Sequence, residues 1–241
     1  MIGLGVKLAL APLLAAQGLL ARQRIPRLPE AAGAREGRTG RGPVLRLLVA
    51  GDSSAAGVGV ADQRQALAAP LAERLARRLE LQVSWSLIAE SGLTTAQVHE
   101  RLRALPLTTW DLAVIVSGVN DVVDQVPSHH AVAEREALAN RLRNAHGVRH
   151  VAFVPLPPIH RFPGLPQPLR WVAGADARRH NHALRDWAAS RDDVSFVDID
   201  MTLDASTMAD DGFHPGAPVY RHCAEAIARH LAARQGSSLH H

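Results

Sequence analysis

The sequence predicts an α/β domain, a three-layer α/β/α sandwich in which five parallel strands carry helices on both faces. Three observations predict it. Apolar or β-branched runs of strand length recur between residues 44 and 200, helical stretches alternate with them, and 241 residues with 47% apolar side chains suffice for one sizeable core. Strands that alternate with helices pair in parallel through right-handed crossovers, which puts helices on both sides of a single sheet.

The chain opens on a nearly all-apolar run, residues 8–21, interrupted by Pro12 and Gln17 and shorter than the roughly 20 residues a spanning helix needs. Lys7 precedes the run and Arg22, Arg24 and Arg27 follow it, a charge order that favours a cytoplasmic location for the part downstream. The expectation is a helix packed on the domain or lying in a membrane interface, hence a peripheral membrane contact. The alternative is an atypical signal or anchor on an exported or periplasmic protein. Residues 22–43, rich in Arg, Gly and Pro without a period, read as a linker. The predicted organisation is an apolar helix and linker over 1–43, a domain over 44–236 and a tail over 237–241, whose His240 and His241 are left out of site reasoning.

Within the domain the strands are "VLRLLVA" (44–50), "QVSWSLIA" (82–89), "DLAVIVS" (111–117), "VRHVAFV" (148–154) and "VSFVDID" (194–200). Helices are expected over about 64–80, 95–105, 129–145, 174–190 and 216–235. Ligands of such a sheet bind beyond the carboxyl ends of the strands, so chemistry is sought in the loops there.

Composition narrows the chemistry. Lys plus Arg number 27 against 23 Asp plus Glu, a net +4, and aromatics are 4%, which argues against a nucleic-acid surface. Cys223 stands alone, so no internal disulfide forms, and no C-x-x-C offers a zinc site. His129 and His130 are adjacent, and His180 and His182 lie two apart on a helix, so neither pair shares a face suited to one ion. No metal or cofactor is expected. Arg178, Arg179 and Arg185 read as a solvated helix face.

The first strand runs into "GDSSAAGVG", the usual setting of a phosphate loop, but the details fail. No lysine supplies a Walker motif, position 62 is Asp where a dinucleotide fingerprint needs Gly, and position 55 is Ala where a G-x-S-x-G elbow needs Gly. What remains is a serine at a strand end, which needs a base within hydrogen-bond reach and an acid to hold that base. "DDGFHPG" (210–216) follows the last strand, and Asp211 and His214, three apart, fit on one turn. "SGVNDVV" (117–123) adds Asn120 and "AESGLTT" (89–95) adds Gly92, a side-chain amide and a backbone N–H suited to an oxyanion. Each block alone has an ordinary structural explanation; the ordered set is specific.

These four blocks, Gly51-Asp52-Ser53-Ser54, Gly92, Gly118-Val119-Asn120-Asp121 and Asp211-Gly212-Phe213-His214, resemble the SGNH, or GDSL, hydrolase superfamily, with Ser54 in place of its usual Leu. The resemblance spans roughly residues 45–216. It implies a flavodoxin-like fold and a serine esterase: Ser53 as nucleophile, His214 as base and then acid, and Asp211 orienting His214. The oxyanion donors would be the N–H groups of Ser53 and Gly92 and the Asn120 amide. Ser53 is preferred to Ser54 because it directly follows the Gly-Asp pair, and Asp52 and Asp121 are read as residues that hold turns.

The substrate expected is a small-molecule ester of short to medium acyl chain. Residues 155–171 carry six prolines, and Ile159, Phe162, Leu165 and Trp171 are the candidate acyl-pocket wall. Lysophospholipase, thioesterase or carbohydrate deacetylase activity on the same triad are alternatives, as is a catalytically idle module that binds an acylated glycan or lipid.

Overall fold

A computed structural model describes residues 4–238, with side chains from 5 to 234. Helix α1 (Leu4–Arg24) comes first. Six strands, β1 (Glu36–Thr39), β2 (Val44–Gly51), β3 (Gln82–Ala89), β4 (Leu112–Val116), β5 (His150–Phe153) and β6 (Val194–Phe196), form one sheet in the order β1-β3-β2-β4-β5-β6. The five expected strands, β2 to β6, are parallel neighbours in the flavodoxin-like order.

The sixth strand corrects the expectation of five. β1 pairs antiparallel with β3 inside the stretch read as a linker. Its sequence, Glu-Gly-Arg-Thr, has no apolar residue and no pattern; it forms because β3 offers an open edge. The run 194–200 is strand only to Phe196.

The helices after α1 are α2 (Ser53–Ala56), α3 (Ala68–Leu79), α4 (Thr95–Arg103), α5 (Val119–Val123), α6 (Ser128–His146), α7 (Leu169–Ala189) and α8 (Ala217–Ser238). α8 thus runs into the expected tail 237–241, of which residues 239–241 lie outside the described residues. Alternation along β2 divides the core: Leu45, Leu47 and Val49 pack with α3 and α8, while Leu48 and Ala50 pack with α4, α6 and α7. Arg178, Arg179 and Arg185 are exposed on α7, the solvated face expected, and two of them also find carboxylate partners. Arg179 pairs with Asp176, and Arg185 pairs with Asp198 and lies over the Phe196 ring.

α1 exceeds the apolar run that announces it, because the helix continues through Pro12 and into the arginines. By length and composition it could cross a membrane, yet here it lies against α7. Residues 7, 14, 17 and 21 share one face. Lys7 Nζ contacts both oxygens of the buried Asp176 at 2.5 and 2.6 Å. The Gln17 side chain donates to the carbonyl of Gln167 and accepts from the N–H of Leu169, and Leu14 packs on Val172 and Ala175. Leu8, Leu13, Leu19 and Leu20 are exposed.

Candidate active site

The sheet's topological switch lies between β2 and β4, where the chain, having stepped from β2 to β3 on one side, next adds β4 on the other. The two strand ends meet closely because position 51 is glycine: a Cβ there would sit 1.9 Å from the Val116 carbonyl oxygen. Asp52 follows as the cap of α2, its Oδ1 accepting the Ser54 N–H at 3.0 Å. Ser53 is the first residue of that helix, so its N–H has no acceptor within it.

Ser53 Oγ lies 3.1 Å from His214 Nε2, and His214 Nδ1 lies 2.6 Å from Asp211 Oδ2. Asp211 Oδ1 also accepts the backbone N–H groups of Phe213 and His214, both at 2.9 Å, an Asx turn that aims the carboxylate at its own loop's imidazole. Burial pushes the Asp211 carboxyl up, but the hydrogen bonds from His214 and Phe213 outweigh it and hold the group below the ordinary aspartate range. Of the two adjacent hydroxyls, Ser53 is the one bonded to the imidazole. The loops are tied together from outside: Tyr220 Oη donates to the Val58 carbonyl at 2.7 Å, and the Phe162 ring stands edge-on to Phe213, 5.2 Å between centroids.

Gly92 and Asn120 open on the same cavity as Ser53 and His214. Gly92 has φ +88°, a backbone that favours glycine, and open space where a Cβ would stand. Asn120, on α5, donates one N–H of its amide to the Leu93 carbonyl at 2.9 Å, which leaves the second free to turn to the cavity. A buried polar network joins the two loops: Asp121 accepts from Thr95 N and Oγ1 at 2.8 and 2.6 Å, and Arg135 approaches Asp121 at 3.5 Å and bonds the Ser117 carbonyl. Asp52, beneath the serine, is pushed up to about 7 by burial, against the hydrogen bond from Ser54.

The family model for GDSL-like lipase/acylhydrolase proteins matches residues 49–222, from the end of β2 into the second turn of α8. The chain belongs to that family. It is accordingly an ester-hydrolysing enzyme. No curated protein matches the chain in sequence. Among solved structures it is similar to a Corynascus thermopiles (Myceliophthora fergusii) carbohydrate esterase family 2 enzyme with a carbohydrate binding domain. The identity is 17%, over 82% of this chain and 68% of that one, and the TM-score is 0.65. It is also similar to a carbohydrate acetylesterase family member from Sinorhizobium meliloti (20%; 80% and 99%; 0.57) and to the M. Smegmatis aryl esterase (18%; 78% and 99%; 0.57). At these identities the likeness carries the fold.

In this GDSL-family chain Ile159, Phe162 and Leu165 of the Pro-rich segment line the cavity. Trp171 does not. It is 43% exposed on α7, and the helical turn that carries Val172 and Ala173 inward carries Trp171 out. Sequence reasoning missed Glu30, whose carboxylate accepts from both the N–H and the hydroxyl of Ser91 and so pins the turn before Gly92. It missed Thr95 and Arg135 as well. A second serine–imidazole contact, Ser195 Oγ at 2.8 Å from both His150 and His230, sits at the amino end of β5, away from the strand ends that carry Ser53. Burial there drives His150 down to about 4.

Proposed function

We propose that the protein hydrolyses carboxylic esters through Ser53, His214 and Asp211, with the Ser53 N–H, the Gly92 N–H and the Asn120 amide as the oxyanion hole. The observation that carries this reading is the continuous chain from Ser53 Oγ to His214 Nε2 and from His214 Nδ1 to Asp211. Ser53 Oγ attacks the ester carbonyl while its proton passes to His214 Nε2, and the three donors hold the tetrahedral oxyanion. The imidazolium, stabilised by Asp211, gives that proton to the departing alcohol and leaves an acyl-Ser53 ester. A water then loses a proton to His214 and attacks the acyl carbon, and as the bond to Ser53 Oγ breaks His214 returns that proton to Oγ, freeing the acid and the serine. Ser53→Ala should abolish turnover of p-nitrophenyl acetate and labelling by a fluorophosphonate; full activity in that variant refutes the assignment. A module that only bound an ester would show neither turnover nor labelling in the unaltered protein.

The same reading sets the enzyme on a lipid surface. Leu13 and Leu20 of α1 are exposed and do not line the cavity, and exposed Arg22, Arg24 and Arg27 follow them, charges that suit anionic headgroups. Flotation of the full chain with phosphatidylglycerol vesicles should carry it into the lipid fraction; recovery in the lipid-free fraction overturns this placement.

A further inference from the structure

The cavity that holds Ser53 and His214 is not completed by the part of the chain that matches the family. Its volume is about 1350 Å³, beyond the roughly 300–1,000 Å³ of an ordinary small-molecule site. Its outer wall is α1, which ends well before residue 49, where the family match begins. Positions 11, 15, 18 and 22 recur on one stripe of α1, beside the stripe that docks on α7. Ala11, Ala15 and Gly18 on that stripe line the cavity, and a Cβ on Gly18 would meet nothing within 4 Å. Small side chains therefore keep a gap open between helix and domain, while Lys7 and Gln17 hold the helix across it. The wall behind is apolar, with Phe162, Leu165, Met208 and Val219 of one buried cluster facing the gap.

We propose that α1 and the domain together bind a linear acyl chain of about eight to twelve carbons, at the medium end of the range the sequence suggests, with its ester carbonyl at Ser53. The proposal rests on Ser53 as nucleophile. An acetyl group leaves most of this apolar space without a partner, whereas each methylene buried is worth ~0.8 kcal/mol, about fourfold in kcat/KM. Sugar hydroxyls on the acyl side would lose water there without gaining hydrogen bonds.

The test is kcat/KM of the full chain on p-nitrophenyl acetate, butyrate, octanoate and dodecanoate, each below its micelle concentration. The unaltered protein should prefer dodecanoate to acetate by 100-fold or more. Gly18→Trp fills the gap and should lower the dodecanoate-to-acetate ratio at least tenfold; glycine is the poorer helix former, so the helix survives the change. Ala15→Trp, one turn away, should lower the ratio in the same direction. A maximum at acetate or butyrate overturns the proposal, and so does an unchanged ratio in both tryptophan variants. Failure of the nucleophile reading is distinguishable: Ser53→Ala would then retain turnover of acetate and dodecanoate alike, whatever their ratio.

Discussion

Asp211→Asn isolates the orienting role of the carboxylate from its structural one. Asp211 accepts three hydrogen bonds, two from backbone N–H groups at 2.9 Å and one from His214 Nδ1 at 2.6 Å. Asparagine retains the oxygen that serves the backbone, so the turn persists. Its amide nitrogen then faces Nδ1 as a donor, which is satisfied only if Nδ1 is unprotonated. The ring proton moves to Nε2, which donates to Ser53 Oγ across the same 3.1 Å instead of accepting from it. The base is lost with the geometry intact. An equivalent change in a triad on another fold lowers kcat about 10⁴-fold, or about 5 kcal/mol of transition-state stabilisation. The expected result is a 10³- to 10⁴-fold fall in kcat on p-nitrophenyl butyrate from a variant that still unfolds cooperatively in urea, its midpoint lowered by the loss of the carboxylate charge. A folded variant that loses less than tenfold would show that Asp211 does not set the tautomer. Because the carboxyl is held below the ordinary aspartate range, its contribution to stability is present above that range and is lost only as pH falls through the lowered value.

Asn120→Ala removes the amide anchored on the Leu93 carbonyl and should lower kcat by about 10²–10³ with little change in KM; an unchanged kcat removes Asn120 from the oxyanion hole. Asp52, raised to about 7, keeps a proton in the native state that the unfolded chain releases near pH 4. The native state then binds more protons, so stability falls between about pH 4 and 7, by an amount on the order of 4 kcal/mol at most. Asp52→Asn preserves the acceptor for Ser54 N–H and should flatten urea midpoints between pH 5 and 8; equal slopes in parent and variant refute the protonated carboxyl. Asp121→Ala leaves Arg135, 1% exposed, without its carboxylate, and a loss of roughly 3–5 kcal/mol is expected from urea unfolding. A loss under about 1 kcal/mol would mean that Asp52 or the carbonyls suffice to hold the guanidinium.

What was legible in the sequence was whatever a period or a local turn determines. β2 to β5 follow from apolar runs flanked by turns, and the order of the four blocks along the chain places their residues at carboxyl ends of one sheet. Asp211 and His214 are three apart, so a single Asx turn fixes their contact without help from the rest of the fold. β1 was not legible, since four polar and small residues become a strand only beside the free edge of β3. Glu30 was not legible for the same kind of reason: a lone carboxylate 61 residues before its partner gains a role only when Ser91 is brought to it.

The wall of the cavity marks the same boundary more sharply. Along the Pro-rich segment the buried positions could be guessed as apolar, yet Trp171 looks no different from Phe162 until α7 begins at Leu169 and its rotation sends one out and its neighbours in. For α1 the obstacle is deeper, because an apolar helix reads alike whether it spans a bilayer, leads an exported chain or lies on a domain. What the sequence does not show is a pair of polar contacts made far along the chain, Lys7 with Asp176 and Gln17 with residues 167 and 169. Both contacts join residues more than 140 positions apart, so no local pattern announces them. In this structure Lys7, which precedes the apolar run, and Gln17, which interrupts it, attach α1 to the domain, and Ala11, Ala15 and Gly18 beside them line the cavity that opens on Ser53.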